Sequence, residues 1–225
     1  VYRVQNGKAL VFSQYVLAMM HYRTEKGDYR YNESAVRPWL NDSLYNTAFT
    51  DEERSFIRLT HNEADTYGSA TDDYLFLLTR GEAETYFNAD WYTYAVTSPT
   101  AYALASSDGG SVSDSYQTAR GDYSCSYFLR SSSDGYGHYT YDFDLKDYIH
   151  WLCFIRHDGK VDAMNAQSCC YGVRPAMWVD LCAAGHSPVP DEAVTVNCYH
   201  DGVTEGSHCA VCGEIFVQQK MIPAT

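Results

Sequence analysis

Four residues near the end of the chain have the types and spacing to hold a metal ion. Cys198 and His200 are separated by one residue, and Cys209 and Cys212 by two, with Gly213 behind them. Thiolate and imidazole are the ligands tetrahedral zinc takes, and a Cys-x-x-Cys turn closed by glycine presents two sulfurs to one ion. The segment 198–225 is too short to bury a self-sufficient core, so a metal would supply the missing folding energy. A structural zinc site on Cys198, His200, Cys209 and Cys212 is therefore expected. His208 is an alternative to His200. A Cys209–Cys212 or Cys198–Cys209 disulfide, or free thiols, are alternatives to the metal.

A second concentration of chemistry is aromatic. The chain has 21 tyrosines, and between Ser107 and Tyr148 the residues Ser, Gly, Asp and Tyr supply 28 of 42 positions. Tyrosine gives broad amphipathic contact at low entropic cost, while Ser and Gly adapt around it. Tyr136, His138, Tyr139, Tyr141, His150, Trp151 and Tyr171 are the expected ligand-binding residues, for a protein or a glycan. A solvated, irregular loop fits the same composition equally well.

Catalytic patterns are sparse. There is no Gly-x-Ser-x-Gly, no His-Glu-x-x-His and no phosphate-cradling glycine loop in the sequence. Trp39-Leu-Asn-Asp42 looks like the Trp-Asn-Asp calcium motif of sugar-binding lectins, but it carries an inserted Leu and lies in an expected early helix. Calcium needs six to eight converging oxygens, which no acidic cluster in the sequence clearly offers. Cys169-Cys170 is the one adjacent cysteine pair, and a reactive thiol there needs a basic neighbour such as Arg174. No catalytic residue is assigned.

The formal net charge of −13 excludes a nucleic-acid partner, whose phosphates demand clustered Lys and Arg. It also disfavours adsorption to anionic membranes. No apolar run approaches the roughly 20 residues of a membrane-spanning helix, so no membrane insertion is expected. With 225 residues, 45% hydrophobic and 20% charged, the chain fits one domain and a small appendage. Val1 opens directly on strand-like sequence, so the chain is expected to be trimmed from a longer one.

The elements that must position these residues follow from local pattern. Asn6-Gly7 is a turn leading into an apolar strand, Lys8 to Phe12. A helix is expected from Ser34, its cap, with Val36, Leu40 and Leu44 on one face beside Trp39. Thr50 and Glu53 form a capping-box signature. The apolar run Tyr74 to Leu78 reads as a strand buried on both faces, followed by a short helix near Glu82 to Phe87. Ser98-Pro99 reads as a helix start. Strands are expected at Cys125 to Leu129, at Ile149 to Arg156, and at Lys160 to Ala163 after a hairpin turn at Asp158-Gly159. A closing strand runs from Gly172 to Val179, with Pro175 marking an edge or a bulge. Early helices and late antiparallel strands give the α+β class. The expected division is a domain at 1–181, a linker at 182–197 marked by Pro188 and Pro190, and a Cys/His module at 198–225.

An ordered series of phrases carries a resemblance. Ser34-Ala-Val-Arg-Pro-Trp-Leu-Asn41, Thr71-Asp-Asp-Tyr-Leu-Phe-Leu-Leu-Thr79, Phe128-Leu-Arg-Ser131, Asp158-Gly159-Lys-Val161 and Gly172-Val-Arg-Pro-Ala176 occur in this order. Together they resemble an uncharacterised domain of surface proteins from gut Gram-positive bacteria. That family is similar in layout to the C-type-lectin-like fold of formylglycine-generating enzymes and of retroelement-diversified variable proteins. Glu205 to Glu214, with Ile222-Pro-Ala-Thr225, is similar to repeated segments of bacterial surface proteins, and a zinc-ribbon-like module is expected there. The resemblance implies an extracellular or cell-surface location and a ligand-binding or display role, and in its sharper form loops diversified between residues 123 and 171. Its alternatives are an enzyme using Cys169 or Cys170 and a structural spacer in a surface stalk. Trp39, Phe76, Leu77 and Val173 read as core residues, and Arg130 and Arg174 as buried, hydrogen-bonded fold markers.

Overall fold

Two strand pairs, each joining a strand from the beginning of the larger domain to one from its end, lie one in each of its main sheets. The computed structural model describes residues 1, 3–23, 30–64, 68–87, 94–106, 112–118, 121–132, 139–142, 144, 147–164 and 170–224. Lys8–Phe12 pairs antiparallel with Ala176–Asp180, and Ala18–His21 with Cys170–Val173. The first pair lies in a four-stranded sheet, flanked by Arg3–Gln5 and Ile57–Arg58. The second lies in a five-stranded sheet with Tyr127–Ser132, Leu152–Ile155 and Val161–Met164. Helices come early and antiparallel strands dominate later, so the chain is α+β as expected.

The chain therefore crosses between sheets twice, side by side. The Ser13 N–H donates to Pro175 O at 2.9 Å and the Leu17 N–H to Val173 O at 2.9 Å, which makes the two pairs one bent ribbon. Arg174 sits at the bend, 4% exposed. Its Nε donates to Ser13 O (2.8 Å), and its NH1 donates to Tyr94 O (2.6 Å) and Tyr127 Oη (3.0 Å). The guanidinium also lies 4.2 Å from the Phe12 ring centroid and 5.1 Å from that of Tyr127. A planar cation with five donors can be buried this way, against carbonyls and aromatic faces. Gly172 has no room for a side chain, since a Cβ would lie 2.7 Å from the Val16 methyls and 2.9 Å from Ser126 O. The expected single closing strand is thus two strands in different sheets. Pro175, which has no N–H to give a ladder, marks the crossing.

The expected early helix forms as three joined runs, Val36–Pro38, the π-helical Trp39–Leu44, and Tyr45–Ala48. Ser34 Oγ accepts the Arg37 N–H at 3.2 Å, and Val36 and Leu40 are fully buried. The Thr50–Glu53 capping box opens Asp51–Phe56. A second reciprocal pair, Thr79 with Glu82, opens Arg80–Phe87. Ala101–Ala105 is capped by Thr100 and not by Ser98, because Pro99 is drawn into a bridge with Val16.

The run Tyr74 to Leu78 is not a ladder strand. Leu75 to Leu78 are buried, but side chains and one bridge fix their backbone. Asn41 Oδ1 accepts from the N–H groups of Tyr74 (2.8 Å) and Leu75 (3.1 Å), and its Nδ2 donates to Leu75 O (2.9 Å). Phe76 exchanges two hydrogen bonds with Ala176. Beside this clamp the fully buried Asp73 carboxylate accepts from Arg37 Nε (2.7 Å), Asn62 (3.2 Å) and Thr71 (2.6 Å). Arg130 forms a bidentate pair with Glu82, both bonds 2.9 Å.

The segment expected to be a linker is built into the tail. Pro188–Asp191 pairs with Gly206–Cys209, which pairs with Ile215–Val217, while Gly202–Val203 pairs with Met221–Ile222. Pro188 and Pro190 are compatible with this because their strand is at the sheet's edge.

Arg174→Lys, which keeps the charge but loses the fork, should lower the free energy of unfolding by about 2 kcal/mol or more. Asn41→Ala, which orphans three backbone groups, should cost about 2–4 kcal/mol. Urea titration followed by near-ultraviolet circular dichroism measures both.

Candidate functional site

Where the tail leaves the larger domain, four soft ligand atoms converge. The ligating atoms of Cys182, His186, Cys209 and Cys212 all lie within 4.8 Å of one another, a cluster that can hold a metal ion. Cys182 follows the strand Ala176–Asp180, and its N–H donates to Asp180 Oδ1 at 2.9 Å. Its turn is closed by Gly185 (φ +117°), whose N–H donates to Cys182 O at 2.9 Å. Cys209 ends the strand Gly206–Cys209, and its turn is closed in the same manner by Gly213 (φ +75°), donating to Cys209 O at 2.8 Å. Glycine adopts such positive φ at no steric cost. The pairing of Pro188 with Cys209 is what brings the two turns together, and the Ala210 N–H bonds to Ser187 O at 2.8 Å.

Within the cluster the Sγ atoms of Cys182 and Cys209 are 3.8 Å apart, and Cys212 Sγ is 3.3 Å from His186 Nδ1. His186 Nε2 faces Glu214 Oε2 at 3.2 Å, and its ring meets the Phe216 ring edge-on at 5.5 Å. Burial pushes the Cys209 thiol up, but the N–H groups of Cys212, Val211 and Ser187 and the His186 ring outweigh it and bring the thiol down to about 5. Burial, and then the neighbouring Cys212 and Cys209, push the Cys182 thiol up to about 12. Cys209 also holds the His186 imidazole above its usual value, against the opposing effect of burial. A divalent cation among these groups would override that pattern, because a coordinating thiol is deprotonated outright.

Of the four expected ligands, the structure brings together Cys209 and Cys212. Cys198 and His200 are not in the cluster and are exposed. They sit in a turn organised by Asn197, whose Oδ1 accepts the N–H groups of Tyr199 and His200. His208 is bonded instead to Asp191 at 2.7 Å. The residues missed are Cys182 and His186. Their signal was present as Cys182-Ala-Ala-Gly185-His186, a second glycine-closed turn bearing two ligands.

The aromatic candidates divide. Tyr136 and His138 lie outside the described residues, as does Cys169. Tyr139–Asp142 and Asp147–His150 form a separate two-stranded antiparallel sheet, with Tyr139 opposite His150 and Tyr141 opposite Tyr148. The expected strand from Ile149 to Arg156 is broken at the half-buried Trp151, where this hairpin passes into Leu152–Ile155. Tyr171 is half-buried in the five-stranded sheet, its ring 4.8 Å from Phe154 and 5.6 Å from Phe128. Cys170, on the same strand, is buried opposite His21. An open groove of about 600 Å³, which the sequence did not suggest, is bordered by Tyr15, Ser98, Thr100, Leu104, Asp122 and Tyr123.

Residues 6–181 match the family described as a domain of unknown function (DUF6273), and the chain belongs to that family. No curated protein and no solved structure matches the chain. All four residues of the Cys/His cluster lie beyond the matched segment.

Proposed function

We propose that this DUF6273 member is a ligand-binding or display domain of a bacterial surface protein, with a structural zinc site in its C-terminal tail. The observation that carries the binding role is the hairpin register. It aligns Tyr139 with His150 and Tyr141 with Tyr148, so the two strands bear aromatic and imidazole residues at matched positions. Residues directly opposite each other in an antiparallel pair are neighbours across the ladder, and aromatic residues are prominent among the hot spots of recognition surfaces. The groove beside Tyr15 and Tyr123 adds a concave surface of the size that ligand sites have. The polar residues of the sequence motifs support a binding module over an enzyme, since Asn41, Asp73, Arg130 and Arg174 are all spent on hydrogen bonds of the fold. The early helices and late antiparallel strands support a C-type-lectin-like layout. No described helix is long and apolar enough to cross a membrane.

Zinc is the metal that the donor set fits. Three thiolates and one imidazole form a closed structural set. Sulfurs bound at about 2.3 Å to a tetrahedral ion lie about 3.8 Å apart, which is the Cys182–Cys209 separation. With Nδ1 turned to the cluster, His186 offers Nε2–H to Glu214, the outer carboxylate that metal-bound imidazoles usually have.

Tyr139→Ala with Tyr141→Ala should leave the melting curve unchanged and weaken binding by about 2 kcal/mol or more, roughly 30-fold. The test is a glycan array combined with a pull-down from host-cell surfaces, followed by titration of whatever is retained. Retention equal to wild type would remove the hairpin from the binding site.

Elemental analysis of the purified protein should find one zinc per chain. Cys182→Ser should lose it, while Cys198→Ser and His200→Ala should keep it. The reverse ranking would restore the ligand set that spacing alone suggests. A chelator should raise amide exchange throughout 186–222, because a tail of this size draws its folding energy from the ion.

A further inference from the structure

The turn that begins the larger domain touches the turn that carries the last two cysteines. A Cβ placed on Gly7 would lie 2.5 Å from the Cys212 Cβ, closer than two carbons can approach. The Gly7 carbonyl meanwhile accepts the Leu181 N–H at 2.8 Å, immediately before Cys182. One glycine thus seats both ligand-bearing turns, one through its missing side chain and the other through its backbone. The first turn is anchored further through Asp180, which holds the Cys182 N–H and pairs with Arg58 at 3.3 Å.

The tail's two sheets, 188–191 with 206–209 and 215–217, and 202–203 with 221–222, share no strand with the sheets of the larger domain among the described residues. The four ligands come from three places. Cys182 follows the domain's last strand, His186 lies between domain and tail, and Cys209 and Cys212 belong to the tail hairpin. An ion bound there joins the domain to the tail as well as closing a turn.

From this we propose that the metal is a clasp. It locks the tail against the Asn6-Gly7 turn, so that domain and tail move as one rigid body only while the ion is bound and the Gly7 contact is intact. The clasp rests on the zinc reading above, and it makes the direction in which the tail leaves the binding domain depend on the metal.

Nitrogen-15 relaxation of the full chain tests it, comparing tumbling times for amides of the five-stranded sheet and of residues 202–217. In the zinc-loaded wild type both sets should give a single tumbling time. In zinc-loaded Gly7→Asn the zinc should remain at one per chain, but the tail's tumbling time should fall below that of the domain. Asparagine tolerates the φ of +70° at this position, so the variant tests the contact with Cys212 and not backbone strain. Gly7→Ala serves as the strained comparison. One shared tumbling time in zinc-loaded Gly7→Asn, or in the chelated wild type, would overturn the clasp while leaving the zinc site intact. A wild type that contains no zinc would overturn the metal reading itself, and the clasp with it.

Discussion

The larger domain depends on how one ribbon of two strands is bent. Its outer half, Lys8–Phe12 with Ala176–Asp180, belongs to one sheet, and its inner half, Ala18–His21 with Cys170–Val173, to the other. A ribbon that leaves one sheet for another exposes backbone groups at the bend, and buried groups of that kind must be paired. Arg174 meets that demand from within the bend by donating to Ser13 O and Tyr94 O. Its charge is tolerated there because the Phe12 and Tyr127 rings present their negative faces to it. Gly172 lets the strand close on Val16 and Ser126 two residues before. The phrase Gly-Val-Arg-Pro is therefore one structural device. Glycine provides close approach, arginine closes the corner, and proline ends the ladder where no N–H is wanted.

The other polar motif residues solve the same problem elsewhere. The chain from Leu75 to Leu78 is buried but is not a ladder strand, and the Tyr74 and Leu75 amides would be orphans without the Asn41 side chain. Asp73, the last residue of the strand Thr71–Asp73, ties the start of that segment to Arg37 on the helix, to Thr71 on its own strand and to Asn62 on the paired strand Thr60–Asn62. Arg130 fastens the five-stranded sheet to the helix Arg80–Phe87 through Glu82. Charged groups used this way are positioned by the core and turned toward it, so they are unavailable for chemistry at a surface. That separates a scaffold of fixed motifs from the loops rich in Tyr, Ser, Gly and Asp, to which the proposed binding role is assigned.

Local chemistry was legible in the sequence, whereas long-range placement was not. The Thr50–Glu53 capping box and the Asp158-Gly159 turn depend on residues within a few positions of each other, and both formed as their spacing predicts. The apolar run at 74–78 was rightly expected to be buried. Its conformation was set by Asn41 and Ala176, which no window around the run contains. Breaks at Trp151 and at Arg174-Pro175 divided strands that pattern alone joins, because the partner strand on each side belongs to a different sheet. The metal cluster shows the same limit. Cys209 and Cys212 were found because a Cys-x-x-Cys turn is local. Cys182 and His186 were missed because only the pairing of Pro188–Asp191 with Gly206–Cys209 brings them near, and two prolines concealed that strand.

The composition of the tail explains why a cluster of this kind is needed there. Ile215, Phe216, Val217 and Met221 are largely exposed, and the fully buried hydrophobic residue of the tail is Cys209, one of the candidate ligands. A three-stranded sheet this small cannot offset the entropy of ordering its chain by apolar burial. The centre of the tail is consequently polar: sulfurs and an imidazole drawn to one point, with His186 flanked by Glu214 and Phe216. Burial, and then the neighbouring Cys212 and Cys209, oppose ionisation of the Cys182 thiol, whereas at Cys209 backbone N–H groups and His186 outweigh burial and favour it. A cation removes that conflict, since each thiolate it binds is stabilised by the ion itself. On the metal reading proposed above, folding of the tail and occupancy of the cluster are a single equilibrium, in which the ion takes the place of a hydrophobic core.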